Sequence, residues 1–261
     1  MPSPLTPDNT PRLWAVLPCA GTGSRAGGQG PKQYQQVAGE PMVLHTLRAF
    51  AEVQRLSGTV VVVSPGDDFW TTSGHAPGAH AAPPAPAQAP VRLGAAGLAA
   101  GGATHVVACG GASRAQSVAN GLQALLDQGI SPQDWVLVHD AARCLVTAGM
   151  INQLIDACLD DDVGGLLALR LPDTLKASRE GRVSATVDRS DKWLAQTPQM
   201  FRLGALVRAL ECAGDTVTDE SSAMEAMGLA PLLVEGSAQN FKVTYPQDFA
   251  LAEALLKTRG R

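Results

Sequence analysis

Three short stretches of this chain carry residue types that could do chemistry. The first, "PCAGTGSRAGGQGPKQY" (18–34), places Gly21, Gly23, Gly27, Gly28 and Gly30 around Arg25 and Lys32. Glycines let backbone N–H groups approach phosphate oxygens, and two cations on one long loop can fold back onto a triphosphate and neutralise charge on its α-phosphorus. Gly21-x-Gly23-x-x-Ala26 also satisfies the dinucleotide fingerprint. That reading needs a helix starting near Gly23 and an acid at the end of the second strand. Gly27, Gly28, Gly30 and Pro31 oppose such a helix, and the second strand runs into Ser64-Pro65 with no acid before Asp67. A Walker loop is absent too, because no Gly-Lys-Ser/Thr occurs. What remains from the residues alone is a triphosphate clamp or a flexible loop with two solvated cations. The second stretch is Gly110-Gly111 and the third is Asp140, each following an apolar run.

The elements that must position these residues alternate along the chain. "LWAVLPCA" (13–20), "TVVVV" (59–63), "THVVAC" (104–109), "DWVLVHD" (134–140), "VGGLLALRL" (163–171) and "PLLVEG" (231–236) read as strands. Helices are expected after Pro41 (Val43, Leu47, Phe50, Val53), from about Arg114 (Val118, Leu122, Leu125, Leu126), after a Thr147 cap (Met150, Ile151, Leu154, Ile155, Cys158, Leu159), and from Pro246 (Phe249, Leu251, Leu255, Leu256). Thr218-Asp219-Glu220 reads as a helix cap with acids in the first turn. Such alternation predicts an α/β fold, a mostly parallel central sheet flanked by helices. Sites in these sheets lie beyond the carboxyl ends of strands, so the Gly21 loop, Gly110-Gly111 and Asp140 should converge there.

Composition narrows the function classes. The 261 residues carry a net charge of -4 with 45% apolar content. No basic footprint for nucleic acid exists and no polybasic membrane anchor, so an anion site must be built from a few placed cations. Cys19, Cys109, Cys144, Cys158 and Cys212 are scattered with no CxxC, which reads as reduced thiols in a cytoplasmic protein. His45, His75, His80 and His105 show no metal spacing, and His139 reads as a hydrogen-bonded core residue. Residues 1–12 read as a disordered tail and not a signal peptide, with 13–261 as one domain. An Ala/Pro/Gly-rich insertion at about 66–103 reads as a mobile surface segment. Residues 172–199 read as turns and short β pieces with little core.

Taken together, "PCAGTGSRAGGQGPKQY", "ACGGASRAQSV", "VLVHDAARCLV", "DTLKAS", "DRSDKWLAQTPQMF", "VTDESSAMEAMG" and "LVEGSAQNFKVTYPQDFALAE" resemble, in order and spacing, the 2-C-methyl-D-erythritol 4-phosphate cytidylyltransferase family. The resemblance spans about Leu13 to Lys257 around the insertion. It implies a Rossmann-like nucleotidyltransferase and a homodimer that exchanges an extended β-arm, here about 172–199. It implies catalytic roles for Arg25, Lys32 and Lys242, and CTP contacts by Ala20, Gly21, Gly23, Ser24, Gly110, Gly111, Ser117 and Asp140. It implies contacts to the alcohol phosphate by Arg143, Thr174, Arg189, Thr197 and Thr218, with Arg189 reaching the partner's site. Asp140 is also the implied ligand of Mg²⁺. Where the family often carries acids, this chain has Ala112 and Gln239.

The implied reaction transfers CMP from CTP to methylerythritol phosphate and releases pyrophosphate, in the non-mevalonate isoprenoid pathway. A related enzyme acting on another polyol phosphate, such as ribitol 5-phosphate, remains an alternative. From a different class, so does a nicotinamide-dependent reductase or a non-catalytic nucleotide-binding module. Neither nucleic acid nor membrane is expected as a partner.

Overall fold

The computed structural model describes residues 10–21, 30–72, 91–92, 103–214 and 217–260. Of the expected tail, 1–9 lie outside the described residues, as does most of the expected insertion.

In chain order, strand β1 (Leu13–Pro18) leads through a 3-10 turn (Lys32–Tyr34) to the small pair β2 (Gln36–Val37) and β3 (Glu40–Pro41). Helix α1 (Met42–Ala51), β4 (Leu56–Val62), α2 (Phe69–Thr72), β5 (Val91–Arg92), β6 (Ala103–Val107), α3 (Arg114–Asp127), β7 (Trp135–Val138), α4 (Ala148–Cys158) and β8 (Gly164–Arg170) follow. A hairpin of β9 (Leu175–Arg179) and β10 (Arg182–Val187) precedes β11 (Trp193–Arg202), α5 (Leu203–Ala213), α6 (Glu220–Ala226), β12 (Leu232–Glu235) and α7 (Pro246–Thr258).

The main sheet has eight strands in the order β12-β8-β11-β7-β1-β4-β6-β5. β1 pairs in parallel with β4 and β7, β4 with β6, and β8 with β12. β11 runs antiparallel between β7 and β8. Strands buried on both faces read as continuous apolar runs, and β1, β4 and β7 do so. Alternate side chains face opposite layers. Ala15, Leu17, Val61 and Leu137 pack with α1 and α4. Val16, Val60, Val62, Val136 and Val138 pack with α3, α5 and α6. A smaller cluster seats α7 against Met42, Leu145 and Val243. The mostly parallel, helix-flanked sheet expected from the alternation is therefore present.

Several helix ends form as the sequence reading expects. Thr147 accepts a bond from the Met150 N–H, and the cap expected within 218–220 falls on Asp219, which forms a capping box with Ser222 and leaves Glu220 as the one acid in the first turn. Pro246 opens α7, where its missing N–H has no intrahelical partner to lose.

Four expectations are corrected. Residues 172–199 are not all peripheral: β9 and β10 are exposed, but Gln196–Phe201 of β11 are buried inside the sheet. Apolar periodicity missed them because Gln196, Thr197 and Gln199 are polar and buried through hydrogen bonds. The expected insertion does not begin at 66. α2 buries Trp70, whose indole N–H donates to Tyr34 Oη, and β5 pairs with β6. Leu251 is exposed; α7 buries the expected Leu256 together with Ala252, which the reading did not include. Finally, α5 occupies a stretch to which the sequence reading assigned no element.

Gln199 shows what a buried polar strand residue does here. Its amide donates to Asp219 Oδ2 at 2.8 Å and accepts from the Ser221 N–H at 2.7 Å, tying β11 to the start of α6. Gln199→Leu should destabilise the fold by about 1–3 kcal/mol, since it leaves a buried donor and acceptor without partners. Urea unfolding checks this, and an unchanged midpoint would refute it.

Candidate active site

The parallel strands of the sheet end on one edge, and the loops beyond that edge form an open cleft of about 390 Å³. It is lined by Ala20, Gly21, Lys32, Gly111, Ser117, Asp140 and Lys242 among others. The three stretches singled out in the sequence therefore meet. Gly23, Ser24 and Arg25 lie outside the described residues.

Each wall has a physical reason for its residues. Gly110 sits where a Cβ would lie 2.3 Å from Ala20 Cβ and 2.9 Å from the Val63 carbonyl, so glycine lets the two loops close on each other. The adjacent glycines do not leave their donors bare: the Gly110 N–H donates to Val63 O at 2.8 Å and the Gly111 N–H to Ser117 Oγ at 3.1 Å. Both N–H groups of this glycine pair are thus engaged within the protein.

Lys32 donates through Nζ to the Val243 carbonyl at 2.6 Å, and Lys242 Nζ donates to Asp140 Oδ2 at 2.7 Å. Lys32 is thereby tied to the residue that follows Lys242, although the two lysines are distant in sequence. Asp140 Oδ1 accepts from Arg114 Nε at 2.7 Å. Burial opposes the charge on Asp140, but Arg114 and Lys242 outweigh it and hold the carboxyl well below the usual carboxylate range. Arg114 in turn grips buried Glu220 with both terminal nitrogens, at 2.7 and 3.0 Å. The sequence reading took Arg114 only as the start of a helix and Glu220 only as a first-turn acid, although both stand inside quoted motifs.

The remaining expected site residues lie off the cleft surface. Thr197 is buried behind Asp140, where its hydroxyl accepts from the Asp140 N–H at 3.0 Å and meets His139 Nδ1 at 3.1 Å. Arg143 donates to the Asn240 and Ala195 carbonyls at 2.7 and 3.1 Å. Its Nε is a buried donor with no partner among the described residues. Thr174, Arg189 and Thr218 are exposed and do not border the cleft; Arg189 donates to the Leu171 carbonyl. Trp193 packs in the arm under Arg170, 4.2 Å from the ring centre.

Among the described residues no group of three or more His, Cys, Asp or Glu side chains is placed to hold a metal. Asp140 is the carboxylate among the cleft-lining residues, and each of its oxygens accepts one bond while a second lone pair remains. One carboxylate of this kind fits a magnesium ion that keeps most of its ligands as water and phosphate oxygen.

His139 is fully buried, with Nε2 near the Arg143 carbonyl at 3.2 Å. Burial pushes its imidazole down to about 3 from the ordinary 6.5, against the opposing pull of Asp140. The unfolded chain takes up a proton below about 6.5 that the folded state refuses. The stabilisation is therefore complete above about pH 6.5 and lost as pH falls toward 3. His139→Gln should flatten the fall of Tm over that window, and a slope equal to wild type would rule this out.

Comparison with known proteins agrees with the geometry. The family model described as 2-C-methyl-D-erythritol 4-phosphate cytidylyltransferase matches residues 13–79 and 91–258. The bifunctional enzyme IspD/IspF of Albidiferax ferrireducens is 62% identical over 253 residues, which cover 97% of this chain and 55% of that protein. The chain thus spans about half the length of that relative. The 2-C-methyl-D-erythritol 4-phosphate cytidylyltransferase of Chromobacterium violaceum is 48% identical, with 94% of this chain and 98% of the relative covered. A crystal structure of 4-diphosphocytidyl-2C-methyl-D-erythritol synthase superposes with a TM-score of 0.76 at 37% identity, covering 94% of this chain and 98% of that one. The cytidylyltransferase from Thermus thermophilus gives 0.69 at 31% identity, covering 94% and 99%. Fold, cleft and these matches agree, and the chain belongs to the 2-C-methyl-D-erythritol 4-phosphate cytidylyltransferase family.

Proposed function

We propose that this chain transfers CMP from CTP to 2-C-methyl-D-erythritol 4-phosphate, giving 4-diphosphocytidyl-2-C-methyl-D-erythritol and pyrophosphate. The observation that carries the reading is the pair of lysines: Lys32 is anchored on the Val243 carbonyl and Lys242 on Asp140, and both line a cleft walled by glycine loops. An ester phosphate has a second pKa near 6, so the attacking oxygen is already anionic at neutral pH and no general base is needed. That oxygen attacks the α-phosphorus of CTP in line. The bond to the oxygen bridging the β-phosphate breaks, and its electron pair leaves with pyrophosphate. Catalysis then rests on positioning and charge stabilisation.

In this reading Lys32, Lys242 and Arg25 stabilise charge on the transferring phosphoryl group, while Ala20, Gly21, Gly23 and Ser24 cradle the triphosphate. Gly110, Gly111 and Ser117 face the base. Because both glycine N–H groups are engaged, the loop carbonyls suit the exocyclic amino donor of cytosine and repel the O4 acceptor of uracil. Mg²⁺ is the expected cofactor; Asp140 would hold it directly or through water, and when bound it neutralises phosphate charge. Thr197 and Arg143 support Asp140 and the surrounding loops from behind.

Thr174, Arg189 and Thr218 are assigned to the alcohol phosphate. Arg189 and Thr174 are exposed in an arm that also presents Val183 (67% exposed) and Leu194 (49%). This supports a homodimer in which the arm serves the partner's cleft. Its boundaries at about 172–199 belong to the same proposal, as does a cytoplasmic location. The latter rests on five free cysteines, three of them buried. No helix among the described residues is long and apolar enough to cross a membrane.

The deciding experiment supplies CTP, Mg²⁺ and methylerythritol phosphate and measures pyrophosphate. A strong preference for ribitol 5-phosphate would replace the substrate assignment. Tight NADPH binding with no pyrophosphate release would replace the enzyme class. Lys32→Ala and Arg25→Ala should each lower turnover about 10²-fold or more, the typical loss of a preorganised charge donor; near-normal turnover would remove that residue from the mechanism.

A further inference from the structure

Four charges alternate in sign along one chain of contacts that starts behind the cleft and ends in its lining: Glu220, Arg114, Asp140, Lys242. Their side chains are 1%, 27%, 10% and 37% exposed respectively, so the chain runs from the interior out to the cleft. Arg114 and Glu220 are the first residues of α3 and α6. Ser113 and Asp219 cap those two helices, which hold both side chains on rigid supports. Arg114 directs Nε at Asp140 and both terminal nitrogens at Glu220. A planar guanidinium fork holds two carboxylates in a fixed mutual geometry; an ammonium is a compact point charge with rotatable donors and no such fork.

We propose that Arg114 is a positioning residue, anchored by Glu220, that fixes the orientation of Asp140 and through it the ammonium of Lys242. This rests on the reading of the cleft as a cytidylyl-transfer site. With Arg114 present, Asp140 divides its two oxygens between two cations, so Lys242 is held at a defined point and keeps positive potential for phosphate. Without Arg114, Asp140 loses its partner at Oδ1 and is free to turn, carrying the Lys242 ammonium with it, while buried Glu220 is left without its cation. The same contact ties the loop before α3 to the Thr218 turn before α6.

Arg114→Lys preserves the charge but cannot span both carboxylates. It should lower kcat about 10–100-fold, the usual loss when an orienting partner is removed, with KM for CTP within about twofold. Glu220→Gln, whose side chain does not line the cleft, should show the same split. Added guanidinium should restore part of the kcat of Arg114→Ala. Wild-type kcat in Arg114→Lys, or a loss confined to KM, would overturn the proposal, because charge alone would then suffice. If Arg114→Lys fails to fold by thermal melting, Glu220→Gln decides by the same criterion, wild-type kcat again overturning it. A wild-type enzyme that releases no pyrophosphate refutes the functional reading and this proposal with it. An active wild type beside an active Arg114→Lys refutes only the positioning role.

Discussion

A carboxylate at the end of a fully buried strand constrains everything around it. Asp140 follows Val136, Leu137, Val138 and His139, none of which touches solvent. Removing such a charge from water costs several kcal/mol unless it is paired and hydrogen-bonded. The partners come from far along the chain, Arg114 at a separation of 26 residues and Lys242 at 102. The fold must therefore bring the start of α3 and the 241–244 loop to the tip of β7. Burial keeps the neighbouring His139 neutral, against the opposing pull of Asp140 and of its contacts with the Arg143 carbonyl and Thr197.

Behind Asp140 the interior is polar through packing and not through exposure. Gln196, Thr197, Gln199 and Asn240 are all buried. Asn240 donates to Gln196 Oε1 and to the Thr197 carbonyl, and Gln196 donates to the Ser237 carbonyl. With the bonds of Gln199, these join β11, α6 and the 237–243 loop into one support. Buried networks of this kind rigidify as their members are satisfied, and a rigid support is what charge stabilisation of a phosphoryl transfer demands. Two atoms here have no partner among the described residues, Asn240 Oδ1 and the Nε of Arg143.

The overall charge of -4 makes the arrangement more telling. Anions are not drawn by the protein as a whole, so attraction must come from Lys32 and Lys242 at the cleft. Glu220 and Asp140 hold the cations near neutral balance. The cleft is therefore a place of oriented charges more than of excess charge, which suits a reaction whose negative charge shifts between phosphate oxygens without changing in sum.

What the amino-acid order determined by itself is local. Apolar runs such as "VVVV" (60–63) specify strands through their own side chains, and so β1, β4, β7 and β8 were legible, as were the Thr147 and Asp219 caps and the opening of α7 at Pro246. The glycine loops and Asp140 were legible as chemistry because their types are needed there whatever the neighbours. The tertiary structure decided the rest. It decided that polar Gln196–Gln199 are core, that Gly110 and Gly111 direct their N–H groups inward, and that Arg114 belongs to Glu220, 106 residues away. A polar side chain is buried or exposed according to the partner waiting for it, and that partner is set by where distant segments meet, which no local pattern records.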